Sequence, residues 1–236
     1  MKGLLVRVAA DQSKLGGGWN GPADSSSGRF VYAPIPESWP LHQGMSKPYA
    51  GLNGALASLG RTLPPHLAKL DMHLDPDFDH LTYGDWRERA KQIRAKVGAG
   101  DLLVFYAGMR DVQPPAQLLY ALIGLYVVDA ILPAVEVPAA RWDENAHTRR
   151  VLAADATDVI VRAKREVSGR LERCIPIGSY RERAYRVRSD LLSQWGGLTV
   201  KNGYLQRSAR LPEFTDARRF YTWFLSQSPK FKMANN

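Results

Sequence analysis

The sequence predicts an α+β domain in which a mixed, curved β-sheet is packed with helices. Three observations carry that prediction. Two apolar runs of strand length, Asp101–Tyr106 and Leu119–Val128, follow one another closely in the chain. Just before them, Trp86, Ala90, Ile93 and Val97 recur at helical spacing with charged residues between. The chain has 236 residues, 45% hydrophobic and 23% charged, which is an ordinary globular composition and enough length for a well-buried core.

In chain order, Gly3–Ala10 alternates weakly and reads as the first strand. Arg7 breaks its short apolar run, so the start of the chain does not read as a signal peptide. The loop from Asp11 to Pro22 is dense in glycine and turn formers. Arg29–Ile35 reads as a second strand closed by Pro34 and Pro36, and 37–63 as irregular with a short helix near Leu52–Leu59. The helix at 85–96 is stopped by Gly98 and Gly100, and the two apolar runs after it form a β-meander on which it packs. From Asn145 the pattern turns helical through Ala153–Val161, and a strand is expected at 205–209. Asp216–Ser226 is the last helix, with Thr215 as its N-cap and Phe220, Trp223 and Phe224 as its core stripe. Residues 230–236 read as a short disordered tail on a single domain spanning 1–236. The most apolar stretch, Leu118–Val137, contains Asp129, Pro133 and Glu136, and reads as core strand, not as a membrane span. The lone Cys174 forms no internal disulfide, which suits a cytoplasmic setting.

Charge is segregated. Residues 141–236 contain 19 Lys or Arg against 10 Asp or Glu, which accounts for the whole net charge of +9, while residues 1–140 sum to zero. Such an excess points to a polyanion, with nucleic acid or a nucleotide as the natural partner. Arg181, Arg183, Arg186, Arg207 and Arg210 alternate with Tyr180, Tyr185 and Tyr204, so guanidinium groups for phosphate and aromatic faces for bases occur together.

The most unusual local sequence runs from Asp71 to His80, with four carboxylates and two imidazoles in ten residues. In an extended segment Asp71, His73 and Asp75 share one face. They are the candidate metal ligands, and His73, Asp75 and Asp77 are the candidates for acid–base catalysis. The alternative is a loop in which Asp75 and Asp77 cap turns around Pro76. Asp11 and Ser13 end the first strand beside a flexible glycine loop, where backbone can approach a ligand. That loop lacks the spacing of a phosphate-binding or dinucleotide fingerprint. Tyr106 and Arg110 close the strand from Asp101, and an arginine there can grip a phosphate or stack on a base. Cys174, before Ile-Pro-Ile, has no triad partner and is not a catalytic thiol.

Taken together, Asp11-Gln-Ser13, the glycine loop, Ala33-Pro-Ile-Pro36, His73-Leu-Asp-Pro-Asp77 and the Gly100–Arg110 segment resemble the third type of nucleotide-modification-associated domain, found in bacterial and phage proteins. The resemblance extends through Leu122–Val128 to Gln206–Pro212. It implies a role near modified nucleotides, with Asp11, Ser13, His73, Asp75, Asp77 and Arg110 as a shared site. The two central strands are also similar to those of PUA-like and ASCH-like small barrels, which hold a nucleobase at the barrel mouth, so a PUA-like barrel is one form the curved sheet could take.

The leading expectation is a nucleic-acid or nucleotide-binding protein linked to DNA base modification. In it Asp11, Ser13, His73, Asp75 and Tyr106 line a base or sugar site, and Arg110 with the C-terminal arginines contacts phosphate. The alternative is a metal-dependent enzyme acting on DNA or nucleotides, with Mg²⁺ as candidate cofactor on the Asp/His cluster. A third expectation is a non-catalytic component that binds protein partners of a DNA-modification system.

Overall fold

The computed structural model describes residues 1–205 and 209–236. Its strands are β1 (Gly3–Arg7), β2 (Pro22–Ala23), β3 (Ile35–Pro36), β4 (Met72–His73), β5 (Thr82–Asp85), β6 (Leu102–Asp111), β7 (Leu118–Pro133), β8 (Val159–Ala163), β9 (Gly169–Pro176), β10 (Gly178–Arg181), β11 (Ala184–Val187) and β12 (Phe231–Lys232). The α-helices are α1 (Asn53–Ala57), α2 (Arg87–Lys96), α3 (Ala146–Arg149), α4 (Ser189–Gln194) and α5 (Ala217–Ser226). Among the described residues no helix is long and apolar enough to cross a membrane.

The main sheet runs β1-β6-β7-β8-β5. β1 is parallel to β6 and the other neighbours on this path are antiparallel. β9 pairs with the first half of β7 and with β12, and β2 extends the end of β6. The α+β expectation holds, with helices packed on a mixed sheet. No barrel closes, because both ends of the path are occupied by irregular chain. Along β1, Leu5 N–H donates to Pro212 O at 2.8 Å and Phe214 N–H to Gly3 O at 3.0 Å. On β5, the Gly84 N–H is taken by the Asp75 carboxylate at 2.6 Å. Edges satisfied in this way have no ladder left with which to find each other.

Strand alternation divides the core in two. Leu103, Phe105, Ala107 and Met109 of β6 face one cluster with Phe78, Tyr83 and the Ala90 and Ile93 side of α2. Leu102, Val104 and Tyr106 face the other, with Trp195, Phe220 and Phe224. In β7 the parity switches: Ala121 and Ile123 face the first cluster, but so do Tyr126 and Val128. Register shifts at Phe105/Tyr106 and at Leu122/Gly124 account for the switch. Gly124 sits at the second shift, where a Cβ would lie 2.6 Å from the Phe78 ring, so glycine admits that ring against the sheet.

Several sequence expectations need correction. Ala153–Val161 is not helical: the helix is the short α3, and the β-branched run Val159-Ile-Val161 is β8, buried between β5 and β7. Pairing on both sides overrides the helix-favouring alanines before it. Phe30–Ala33 forms no strand and makes one isolated bridge, Phe30 to Ala23, where a strand was expected. The N-cap of α5 is Asp216, which accepts from Arg219 N–H, and not Thr215. Residues 230–236 are not a loose tail. Phe231 and Lys232 pair with β9, and Asn236 exchanges hydrogen bonds with the Tyr32 backbone at 2.8 and 2.9 Å. Phe231 also stacks on Phe224, and the side-chain amides of Asn235 and Asn236 hold the final residues against Phe78, Asp79 and Tyr32. Residues 206–208 of the strand expected at 205–209, Arg207 among them, lie outside the described residues.

Candidate functional site: a buried histidine and carboxylate cluster

β3 and β4 pair antiparallel and set Ile35 opposite His73. The chain then turns through 74–81 into β5, whose other edge meets β8. α3 lies against β5 because Asn145 caps it, accepting from His147 N–H at 2.9 Å. Close approach is possible only at a glycine: a Cβ on Gly84 would stand 2.4 Å from His147 Cδ2 and 2.6 Å from Asn145 Oδ1. Three distant segments therefore converge under the sheet edge.

His73, Asp75 and His147 meet there, with one potential ligand atom from each lying within 4.8 Å of the others. The imidazole rings stand edge to face with centroids 5.0 Å apart. Each histidine is oriented by a carboxylate on Nδ1: His73 by Glu37 Oε2 at 2.7 Å, His147 by Asp158 Oδ1 at 2.5 Å. His147 Nε2 lies 3.7 Å from Asp75 Oδ2, while Asp75 Oδ1 accepts from Gly84 N–H and from Asn145 Nδ2 at 3.1 Å. The Arg150 guanidinium grips Glu37 with contacts of 2.8–3.1 Å. Its Nη2 is also 3.0 Å from His73 Nδ1. That nitrogen cannot both donate and accept, and with the guanidinium already held by Glu37 we assign its proton to the Glu37 bond.

Burial sets the protonation states. It pushes the Asp75 carboxyl up to about 7, against the opposing influence of His147 and its hydrogen bonds. It pushes the His73 imidazole down to about 4, so the ring is neutral near pH 7. Burial alone would raise Glu37 too, but the hydrogen bonds and charges of His73 and Arg150 outweigh it and hold that carboxyl at about 2. A neutral, oriented imidazole beside a poised carboxyl can relay a proton or ligate a metal.

The structure brings together only part of the expected site. Asp71 turns to Ser46 and is outside the cluster. His147 takes its place among the potential ligands. Asp77 is fully buried but faces Arg149 Nη2 at 2.5 Å, the turn N–H groups of Asp79 and His80, and Asn235. Its geometry is that of a turn cap and ion pair. Asp11 and Ser13 stitch their own loop, since Asp11 Oδ1 accepts from Ser13 N–H at 2.8 Å and from its hydroxyl, while Arg7 lies 3.4 Å from the carboxylate. Tyr106 is a core residue on the opposite face of the sheet from Phe105, and its hydroxyl donates to Leu205 O. Arg110 is exposed at the end of β6 and donates to Ala116 O.

Within the basic surface, the Arg181 guanidinium donates to Val187 O and Asn202 O, and that of Arg186 to Lys201 O while lying 3.3 Å from Glu182. Both help hold the β10–β11 hairpin. Arg183, at its turn, and Arg210 are exposed. Tyr180 is 65% exposed and meets Tyr185 edge to face, and Tyr185 stacks on Tyr120.

Linked to the His/Asp cluster through Glu37 and Arg150 is an aromatic pair that the sequence did not announce. Trp39 is 48% exposed and meets Trp86 edge to face at 5.7 Å. The Arg87 guanidinium covers the Trp86 ring at 4.0 Å, and Arg150 reaches from Glu37 toward the Trp39 ring at 5.9 Å. Glu37 Oε1 accepts the N–H groups of Ser38 and Trp39. Arg87 has φ of 51°, a backbone setting uncommon for a residue with a side chain. A separate cavity of about 210 Å³, lined among others by Lys96, Glu213 and Arg218, shares no residue with the cluster or the aromatic pair.

A family model described as nucleotide modification associated domain 3 matches residues 2–219. No curated protein and no solved structure matches the chain.

Proposed function

The chain belongs to the nucleotide modification associated domain 3 family, and from that premise we propose that it binds a nucleobase on the Trp39–Trp86 pair linked to the His73–Asp75–His147 cluster. The observation that carries the reading is the exposed tryptophan, which shares Glu37 and Arg150 with His73. A base stacked on Trp39 would be within reach of this polar network, so recognition of its edge and any chemistry on it would fall to the same residues. Arg87 supplies a guanidinium at the aromatic pair for a phosphate or a second stacking surface. The positive charge of residues 141–236 adds long-range attraction without choosing a sequence.

This moves the base site away from Asp11, Ser13 and Tyr106. It keeps His73 and Asp75, and leaves the exposed Arg183 and Arg210 to contribute to phosphate attraction. The test is a titration of tryptophan fluorescence with nucleotides and with matched unmodified and modified oligonucleotides over a salt series. Base stacking on an aromatic side chain is worth about 1–3 kcal/mol, so Trp39→Ala should weaken the preferred ligand roughly 5- to 150-fold and Trp39→Phe much less. Equal affinity in wild type and Trp39→Ala would remove the aromatic pair from the reading.

A further inference from the structure

Four of the buried carboxylates around β5 have a guanidinium of their own. Glu37 is paired with Arg150, Asp77 with Arg149, Asp85 with Arg89, and Glu144 with Arg162 and Arg141. Asp75 and Asp158 differ. Among the described ion pairs neither has a lysine or arginine, and each lies beside His147 alone. Both side chains are only 8% exposed. Asp75 and Asp158 thus have no direct Lys or Arg ion pair among the described residues, and the Arg150 guanidinium, 3.0 Å from His73 Nδ1, is held by Glu37, although buried carboxylates ordinarily have a cation of their own.

The histidines point the same way. Each has its Nδ1 turned to a carboxylate, which leaves Nε2 as the second ring nitrogen of each, and Nε2 of His147 lies 3.7 Å from Asp75 Oδ2. An imidazole that ligates a metal through one nitrogen and gives its other N–H to a carboxylate is the usual outer-sphere arrangement of such sites. Here it occurs twice, on rings brought together from β4 and α3.

We infer that His73 Nε2, His147 Nε2 and the Asp75 carboxylate form a binding site for one divalent first-row transition metal, with Glu37 and Asp158 as its outer-sphere carboxylates. Two nitrogens and one carboxylate suit Zn²⁺, Fe²⁺ or Co²⁺, whereas Mg²⁺ prefers oxygen ligands throughout. Metal bonds of about 2.0–2.2 Å put neighbouring ligand atoms about 3–3.5 Å apart. The His147–Asp75 contact of 3.7 Å is close to that spacing, and within the 4.8 Å limit on the set a ligand pair has to close by no more than about 1.3–1.8 Å. Three protein ligands leave coordination positions open, the arrangement of metal sites that do chemistry. Asp71, which the sequence pattern favoured, has no part in it.

The experiment uses the whole protein, stripped with a chelator and titrated with Co²⁺ while the visible ligand-field absorption is followed, then with Zn²⁺ in competition. One Co²⁺ should bind per chain with an intensified band, Zn²⁺ should displace it, and a large excess of Mg²⁺ should not. Asp158→Asn should weaken binding about 10- to 100-fold, His147→Gln should abolish the band, and Asp71→Asn should leave it unchanged. A spectrum that remains that of aqueous Co²⁺ with the wild-type protein overturns the inference whether or not any variant folds. So does a bound Co²⁺ that His147→Gln and Asp75→Asn retain. No nucleotide enters the assay, so the metal site and the base-binding aromatic pair can fail independently.

Discussion

Replacing Arg149 by methionine tests how the loop carrying the site is held. Arg149 is 2% exposed, and its guanidinium is 2.5 Å from Asp77 and 3.1 Å from Asp143. Asp77 is 0% exposed, so the substitution strands a buried carboxylate. Breaking one partner of a buried pair costs about 3–5 kcal/mol, a large share of the roughly 5–15 kcal/mol that holds a domain together. Asp77 keeps the N–H groups of Asp79 and His80, the His80 ring at 3.3 Å and the Asn235 amide, which places the expected loss near the low end, about 3 kcal/mol. Urea unfolding followed by circular dichroism measures it. In an Asp77→Asn background the stranded charge is absent, so adding Arg149→Met should cost only about 1–2 kcal/mol for a lost hydrogen bond and packing. A loss below about 1 kcal/mol for the single variant, or the same loss in both backgrounds, would show that Asp77 is not held by this pair.

Three further outcomes follow from the same geometry. Gly84→Ala forces a Cβ into the His147 ring and the Asn145 side chain, and should destabilise the fold by about 1–3 kcal/mol or more in urea unfolding. It should also lower Co²⁺ affinity, since Gly84 N–H holds Asp75. Cys174 is buried, which pushes its thiol up to about 12, so a thiol reagent at neutral pH should label it only after denaturant is added. Removing Asn235 and Asn236 deletes the hydrogen bonds to Phe78 N–H, Asp77, Asp79 and the Tyr32 backbone. It should cost about 1–3 kcal/mol and speed hydrogen exchange at Phe78 and Tyr32.

Long periodic elements were legible in the sequence and short paired ones were not. β6 and β7 announce themselves as apolar runs, and α2 and α5 by stripes at helical spacing, because their burial is set by their own pattern. β8 has five residues, and what makes it a strand is a neighbour on each side. Tyr106 illustrates a different difficulty. It lies in a strand that is buried on both faces, so polarity along the chain cannot say which face it takes. The site divides along the same line. His73 and Asp75 were visible as local density, whereas Glu37, His147, Arg150 and Asp158 come from distant segments that meet through β3–β4 and β5–β8 pairing, the Leu41–Arg150 bridge and the Gly84 contact. Asn145, a helix-capping residue two positions before His147, was the one local signal that could have drawn attention to that segment.

The acidic segment 71–80 shows why density of charge is a poor guide to which residues act. Its carboxylates do not converge. Asp71 is drawn to Ser46, Asp77 to Arg149 and Asp79 to Asn235. Each is satisfied by a partner from a different part of the chain, and mutual repulsion favours that dispersal. Asp75 is the one left facing two imidazoles, held by a backbone N–H and an asparagine amide that satisfy hydrogen bonds without supplying charge. Burial then raises its carboxyl to about 7, the expected response of a carboxylate desolvated without a cation. What sets the site apart is that this group, like Asp158, has no Lys or Arg ion pair among the described residues and is placed where a metal ion or a proton can complete it.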